Sequence, residues 1–420
     1  MDTGDTAWIL VSTALVMLMT PGLALFYGGM VRAKSVINMM MMSFGALGVV
    51  SVLWIIVGYS VAYGESIGGV LGNPGDYFGL AGLIGAGEGI PTLVDVGFQA
   101  MFAVITVALI SGSIADRANF WTWLLFAAIW MAVVYSPVAH WVWGAGGWIG
   151  DELGAVDFAG GTAVHINAGA AGLALALVLG RRRDFARGSH RPHNLPLVML
   201  GAGLLWFGWF GFNAGSAYGA NADAGLALVN TIGATAAALL GWIIVEKLRD
   251  GHATSMGAAS GVVAGLVAIT PACGALSPMM ALVLGAVAGV VCSLTVSLKF
   301  RLRYDDSLDV VGVHLVGGLV GTVAIGFLAT AEAPDGVDGL FYGGGVDLVG
   351  RQVVGAGAVL IYSFAVTYAI GWLLQRTIGF RVDSHHEAVG VDRIHHGESG
   401  YEIDQVQIDE EVVARVSSAP

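Results

Sequence analysis

Two histidines, His165 and His314, are the residues best placed to do chemistry, because each lies in a long apolar segment that contains no charged residue. Ionisable groups in such segments are costly inside a membrane and are functional candidates by default. Burial disfavours the charged imidazole, and the neutral ring has one donor and one acceptor nitrogen. A pair of such rings suits a small neutral hydrogen-bonding solute. It poorly suits Na⁺ or K⁺, whose desolvation is very costly without a ring of carbonyls or charges.

Other chemistries have little support in the sequence. No lysine and no carboxylate lies in the middle of an apolar segment, which argues against a Schiff base and against a carboxylate relay for protons or sodium. His140 lies beside Trp141 and Trp143 at the end of a segment, where we expect an interfacial role. Cys273 and Cys292 lack disulfide or zinc spacing and are expected to be packing residues. No nucleophile with a base, catalytic aspartate pair or metal-ligand cluster is found, so neither an enzyme nor a cofactor is predicted.

The composition is that of a membrane protein. Of the 420 residues, 56% are apolar and 11% are charged, whereas a soluble domain has about 25% charged residues. We therefore predict an all-α integral membrane protein with eleven transmembrane helices, each about 20 residues long. The eleven apolar stretches are 6–30, 36–62, 96–114, 119–142, 162–180, 195–214, 225–245, 254–270, 277–298, 310–330 and 352–374.

The basic residues predict the orientation of these helices. Thirteen of the 18 lie in loops after odd-numbered spans and four in the C-terminal tail, which leaves only Arg351 on the other side. Lys and Arg accumulate in cytoplasmic loops, so we expect the N-terminus outside and the C-terminus inside. Asp2 and Asp5 precede the first span and no basic residue occurs before Arg32, which is unlike a signal peptide. The Arg181–Arg191 cluster fits this topology, with lipid-headgroup or partner binding as the alternative.

The segments around the two histidines resemble each other. Each histidine follows a valine, has an aspartate upstream, and has glycines four and seven residues further on. The residues concerned are Asp157, His165, Gly169 and Gly172 in span 5, and Asp309, His314, Gly318 and Gly321 in span 10. Equivalent positions in spans 5 and 10 predict two five-helix halves, the second inverted, with the site at their interface. The eleventh helix is then peripheral to the repeat.

Several longer motifs resemble the signature segments of the ammonium transporter (Amt/Mep/Rh) family, and the prokaryotic Amt proteins in particular. They occur in the family's order, from span 1 through span 11 and into the tail. The resemblance implies a multi-pass transporter in the cell membrane. The motifs are ALFYGG (24–29), DFAGGTAVHIN (157–167), RPHNLP (191–196), GWFGFNAGS (208–216), TPACG (270–274) and DDSLDVVGVH (305–314).

The resemblance also implies where ammonium is recruited. Trp143, Phe102 and Ser216 match the family's outer ammonium site. Aromatic faces attract a small cation, and a hydroxyl oxygen can accept a hydrogen bond from it. Asp157 matches an acidic residue near that site, which is expected to hold the local structure and to support the cation indirectly.

Deeper in the pore, Phe102 and Phe212 match the family's stacked gating rings, and His165 and His314 match its twin histidines. The mechanism implied is that ammonium loses its proton before the apolar constriction and that ammonia passes the histidines, with net charge movement. Methylammonium stays open as a second substrate.

The chain divides into a predicted transporter domain, 1–376, and a cytoplasmic tail, 377–420. The segment from Gly379 to Tyr401 resembles the family's regulatory C-terminus, which implies a PII-type signalling protein as a partner. The residues after Tyr401 are acidic and expected to be disordered. The resemblance further implies a homotrimer, and no nucleic-acid partner is indicated.

Two other functions remain open. An ammonium sensor that signals through the tail would use the same outer site and the same tail. A channel for water or a small alcohol is disfavoured because the paired Asn-Pro-Ala loops expected there are absent; Asn73-Pro74-Gly75 occurs once, in a loop.

Overall fold

The computed structural model describes residues 1–183, Phe185 and 192–401. The predictions that involve Arg187, Arg191 and the acidic extension after Tyr401 lie outside the described residues. Within them the fold is helical apart from one short hairpin. Its antiparallel strands are β1 (Ser66–Ile67) and β2 (Leu71–Gly72), with Ser66 opposite Gly72.

Ten helical segments in the described chain are long and apolar enough to cross a membrane. They are α1 (Thr3–Met30), α2 (Ala33–Tyr63), α3 (Thr92–Ile114), α4 (Phe120–Glu152), α5 (Gly161–Leu179), α6 (Leu195–Gly215), α7 (Ala222–Asp250), α9 (Pro278–Leu302), α10 (Val311–Leu328) and α11 (Asp347–Thr377). The predicted span 254–270 forms the apolar helix α8 (Ser255–Ile269), whose 15 residues are fewer than the usual 20.

Several of these segments are interrupted by π-helical turns, which often mark functional places in a helix. In α2 and α4 the π turns are Trp54–Gly58 and Met131–Tyr135, and α4 ends in a further π turn, Trp148–Glu152, after a break that follows Trp143. Segments α5 and α10 each begin with a π turn, Gly161–Ile166 and Val311–Leu315 respectively.

The two π turns that begin α5 and α10 are parts of closely similar segments. Each leads into an α-helix of 13 residues, Asn167–Leu179 in α5 and Val316–Leu328 in α10. The π turn of each segment contacts the α-helical part of the other. This reciprocal crossing brings the middle of α5 against the middle of α10.

Glycines permit the close approach at this crossing. A methyl group on Gly169 would overlap the backbone of Leu315, and one on Gly318 would lie 3.1 Å from the Gly161 carbonyl oxygen and 3.2 Å from His165 Cβ. Small residues let membrane helices pack through their backbones in this way. The remaining helices enclose the crossing: α1 packs along α6, α7 along α8 and α9, and α5 along α11.

The segment after α11 folds back onto one end of the bundle as α12 (Ser384–Val389) and α13 (Val391–His395). Asp392 accepts hydrogen bonds from the backbone N–H groups of Ile37 and Asn38 at the start of α2, at 3.0 and 2.8 Å. The Val382 N–H donates to the Arg117 carbonyl oxygen at 2.9 Å. Farther along, the Tyr401 hydroxyl lies 2.8 Å from His193 Nε2. The tail therefore contacts the start of α2 and two connections of the helical bundle, α3–α4 and α5–α6.

Candidate functional site

An aromatic column begins where α3, α4 and α6 meet. The rings of Phe102 and Phe212 stack with centroids 4.2 Å apart, and Trp143 meets Phe102 edge-on at 6.0 Å. Both phenylalanines are fully buried, whereas Trp143 is partly exposed. The column therefore runs from a partly exposed tryptophan into the closed interior of the bundle.

His165 and His314 lie together at the buried end of this column. Their Nδ1 atoms are 3.3 Å apart, within hydrogen-bond distance, and their rings are nearly parallel with centroids 5.3 Å apart. The π turns that begin α5 and α10 position the two side chains, because the segments cross at these turns. His165 Nε2 is buried without a hydrogen-bond partner, so one polar edge of the pair is open to a small polar molecule.

A narrow cavity adjoins the histidine pair. Its volume is about 10 Å³, close to the smallest cavity that holds one water molecule. Apart from the histidines and the indole nitrogen of Trp209, its lining is apolar. The lining residues are Met19, Leu23, Phe26, Ile105, Leu109, His165, Leu205, Trp209, Phe212, Val263 and His314.

Trp209 is a member of the site that the sequence interpretation missed. Its ring stacks on His165 at 5.4 Å with an interplanar angle of 18°, and its Nε1 donates to Thr270 Oγ1 at 2.8 Å. Trp209 lies three residues before Phe212, so its place in the same motif was the available signal. The indole fixes one face of the His165 ring.

Asp157 holds the entrance to α5. Its Oδ1 accepts the N–H groups of Gly160 and Gly161, both at 2.8 Å, and its Oδ2 accepts those of Thr162 and Ala163 at 2.7 and 3.1 Å. Burial raises the pKa of this carboxyl, and the four N–H groups oppose that rise by favouring the carboxylate. The four contacts are all made to donors, which matches the carboxylate, a group that only accepts hydrogen bonds.

Asp157 is also linked to the aromatic column, because its carbonyl oxygen accepts the Trp143 Nε1–H at 2.9 Å. Ser216 lies at the end of α6, where its hydroxyl donates to the Phe212 carbonyl oxygen at 2.8 Å. The hydroxyl oxygen can still accept a hydrogen bond. Backbone contacts thus join both residues to the aromatic column.

The start of α10 has the same construction as the start of α5. Asp306 lies eight residues before His314, as Asp157 lies eight before His165. Its carboxylate accepts the N–H groups of Val310 and Val311 at 3.1 and 2.7 Å. The counterpart of Asp157 is therefore Asp306, and the pairing of Asp157 with Asp309 was wrong. Asp309 instead forms an ion pair with Lys299 at 2.6 Å.

A larger cavity of about 180 Å³ lies beside this second turn. Its lining carries both charge signs, including Arg32, Asp116, Arg182, Lys299 and Asp309. Burial raises the pKa of nearby Asp306 to about 6, although Lys299 opposes the shift. This end of the site is charged, whereas the space between the histidines and Phe212 is apolar.

His140 does not have the interfacial place expected for it. The side chain is fully buried, with Nδ1 2.9 Å from the Ala62 carbonyl oxygen and Nε2 2.9 Å from Ser66 Oγ. Two protein partners satisfy the ring, which ties α4 to the β1 hairpin. Cys273 and Cys292 are buried free thiols, which agrees with the packing role predicted for them.

A bundle of apolar helices around a histidine-lined cavity defines a multi-pass membrane transport protein. Comparison with known proteins identifies the family. The model of the Ammonium Transporter Family matches residues 7–401. An ammonium transporter of Mycobacterium tuberculosis is 57% identical, over 96% of this chain and 91% of that protein.

Solved structures agree with this match. The crystal structure of Saccharomyces cerevisiae Mep2 has a TM-score of 0.85 at 35% identity, covering 92% of this chain and 88% of that one. A structure titled "Sensor Amt Protein" has a TM-score of 0.87 at 28% identity, covering 93% and 98%. The chain belongs to the ammonium transporter family. It is a multi-pass membrane protein of a family of transporters, which confirms the non-enzymatic interpretation.

Proposed function

We propose that this protein recruits ammonium beside Trp143, Phe102 and Ser216, where ammonium gives its proton to water, and conducts ammonia past His165 and His314. The proton also crosses the membrane, by a separate step, so that transport moves net charge. The observation that carries the proposal is the histidine pair in its narrow apolar cavity. One polar edge, the unpartnered Nε2 of His165, is available to a passing molecule. A volume of about 10 Å³ suits a solute of the size of ammonia or water.

Deprotonation before the histidines follows from the lining. An ammonium ion in the cavity would lose most of its hydration and meet two neutral rings and hydrocarbon, at a cost far above that for ammonia. Beside Trp143 the cation keeps access to water, and the faces of Trp143 and Phe102 attract it. The stacked Phe102 and Phe212 rings close the path between these places, so passage requires a side-chain movement.

We further propose eleven transmembrane helices, with α8 completing the count and α1–α5 and α6–α10 forming inverted halves. The N-terminus is outside and the C-terminus inside. The matched π turns of α5 and α10 support the repeat, and the distribution of basic residues supports the orientation. Segment α11 lies outside the repeat and packs on α5.

The division into a transporter domain, 1–376, and a tail, 377–420, is part of the same proposal. The tail up to about Tyr401 regulates transport, and a PII-type protein bound at the cytoplasmic face acts through it. Its hydrogen bonds to the start of α2 and to the α3–α4 connection support this role. The functional unit is a homotrimer.

Solid-supported membrane recording on liposomes tests the central claim. The wild type should give a saturable ammonium-evoked current. His165→Leu and His314→Leu keep an apolar residue of similar bulk but remove the polar edges, and each should lose at least about tenfold of the current. His252→Ala, in the exposed α7–α8 connection, is the control. No wild-type current would refute transport, and unchanged currents in both leucine variants would refute the histidine role.

A second candidate, an ammonium sensor, is favoured by the docked tail and by the similarity to the structure titled as a sensor. A pure sensor gives no ammonium current, but ammonium changes the protease accessibility of the tail. The two functions are therefore separable in one set of liposomes.

A further inference from the structure

A polar cluster lies on α3 two helical turns before Phe102, on the side of the column away from the histidines. Asp95 accepts the hydroxyl of Tyr59 at 3.0 Å through Oδ2 and that of Tyr218 at 2.7 Å through Oδ1. Gln99 Nε2 donates to the Tyr218 hydroxyl oxygen at 2.7 Å. The cluster joins α2, α3 and the connection after α6.

The charge of this cluster has no basic partner within the described chain. No described ion pair includes Asp95, and Arg351, the one basic residue predicted on this side, pairs with Asp347. Burial and the neighbouring Asp95 raise the pKa of Tyr218 well above its usual value, so its hydroxyl stays a neutral donor. Two hydroxyl groups donate to Asp95 and favour its carboxylate form, and we assign the cluster one negative charge on that basis.

Tyr218 connects the cluster to the proposed recruitment site. Its backbone has a φ of 53°, in the left-handed region that is uncommon for a residue other than glycine. It follows Ser216 by two residues, and its ring meets Phe98 edge-on at 5.7 Å. Phe98 in turn meets Phe102 edge-on at 4.9 Å. The hydrogen bond from Tyr218 to Asp95 holds this strained turn in place, so it holds both Ser216 and the back of the Phe102 ring.

We propose that Asp95 is a positioning residue of the ammonium site that also supplies its attractive charge. This inference rests on the proposed function and adds to it the source of the affinity. Asp157 is a second carboxylate beside Trp143, but four N–H groups occupy its oxygens and their dipoles partly offset its field. Asp95 has only two hydroxyl donors, and oxygen lone pairs remain.

The size of the effect follows from geometry. Seven residues separate Asp95 from Phe102 on one helix, which is about 10 Å at 1.5 Å per residue. At that distance, with an effective dielectric constant of about 20, one unit charge changes the affinity for a monovalent cation roughly tenfold. Salt screens part of this interaction.

The test compares Asp95→Asn with Tyr218→Phe by ammonium titration of currents in liposomes. Asp95→Asn keeps the size and one acceptor oxygen but removes the charge, so we expect the half-saturating ammonium concentration to rise about 3- to 10-fold with little change in maximum current. The rise should shrink as ionic strength increases. Tyr218→Phe keeps the charge but frees the turn, so we expect a lower maximum current and at most a twofold rise in half-saturation.

Glu332→Gln removes one exposed negative charge from the α10–α11 connection and serves as the matched control, with an expected change below twofold. Size-exclusion elution and thermal unfolding establish that each variant is folded. If Asp95→Asn is folded and keeps the wild-type half-saturation, or changes it equally at all salt concentrations, the inference is wrong. If the wild type gives no current, the proposed function fails instead. Should Asp95→Asn not fold, a wild-type half-saturating ammonium concentration that does not change with ionic strength would overturn the electrostatic role.

Discussion

The π turns that begin α5 and α10 are built alike and differ in what lies behind them. Each places a histidine at the buried end of the aromatic column and is capped by an aspartate eight residues before that histidine. Asp157 is satisfied by four backbone N–H groups next to Trp143, whereas Asp306 receives two and lies beside a charged cavity of about 180 Å³. Under the proposed function this one local design serves two tasks: the α5 turn is a fixed wall of the ammonium site, and the α10 turn borders the charged cavity.

Removal of the two caps should separate these tasks most clearly. Asp157→Ala leaves four buried N–H groups without their acceptor, at about 1–3 kcal/mol each, so we expect ammonium current to fall at least about 100-fold. Asp306→Ala leaves two and should lose about tenfold. Currents normalised to the amount of folded protein measure both. A loss in Asp306→Ala as large as that in Asp157→Ala would show that the two turns are functionally equal.

Glycine-to-alanine exchanges probe the crossing from its two sides. Gly169→Ala places a methyl group onto the Leu315 backbone, which cannot yield easily, so we expect a loss of about 2–4 kcal/mol in the free energy of unfolding. Gly318→Ala meets its neighbours at 3.1 and 3.2 Å and should cost about 1 kcal/mol or less. Thermal unfolding in one detergent compares them. Equal losses would contradict the asymmetry of the crossing.

The pH dependence of stability should reveal Asp306. Its pKa is raised to about 6 in the folded protein, so the folded state binds a proton more tightly than the unfolded state. The protonated carboxyl therefore stabilises the fold at low pH, and this contribution is lost as pH rises from about 4 to 6. Relative to Asp306→Asn, the wild type should lose on the order of 2 kcal/mol over that range and then change little. A flat difference between the two unfolding curves would contradict the proton binding assigned to this turn.

The smallest expected effect concerns the tail, which docks at the end of the bundle where α10 begins. Tyr401→Phe removes the hydroxyl contacts with His193 and Asn194 and should cost about 0.5–1.5 kcal/mol of local docking. Limited proteolysis of the segment after α13 should accelerate by up to about tenfold while the transporter domain stays intact. Unchanged cleavage would mean that Asp392 and Val382 hold the tail without Tyr401.

Apolar runs and their basic flanks predicted most of the helices, because a membrane requires long uncharged segments whatever their partners. The exception is α8, which is shorter than the other spans: its 15 residues end at Ile269, where a series of buried turns begins. The family motifs predicted that Phe102, Phe212, His165 and His314 lie together. The stacked phenylalanine rings and the paired histidines of the structure agree with that prediction. What the motifs could not give was backbone detail.

The π turns depend on tertiary packing, so no local pattern marks them. Because the π turns could not be predicted, Asp309 was paired with Asp157 only because it lies upstream of His314. That pairing was wrong, since Asp306 caps the turn. His140 was misplaced for a related reason: its partners come from the β1 hairpin, far away in sequence. Trp209 and Asp95 were missed because their importance lies in which ring or hydroxyl they contact.

The small cavity beside His165 also limits how many molecules can occupy the proposed path at once. Space for one small molecule means that ammonia and water compete for the same position and cannot pass each other there. Under the proposed mechanism we therefore expect flux to saturate even when the recruitment site is kept full, and the osmotic water permeability of the protein to be low. In that mechanism each opening of the Phe102 and Phe212 rings admits one molecule, so we expect the rate of ring movement to limit turnover.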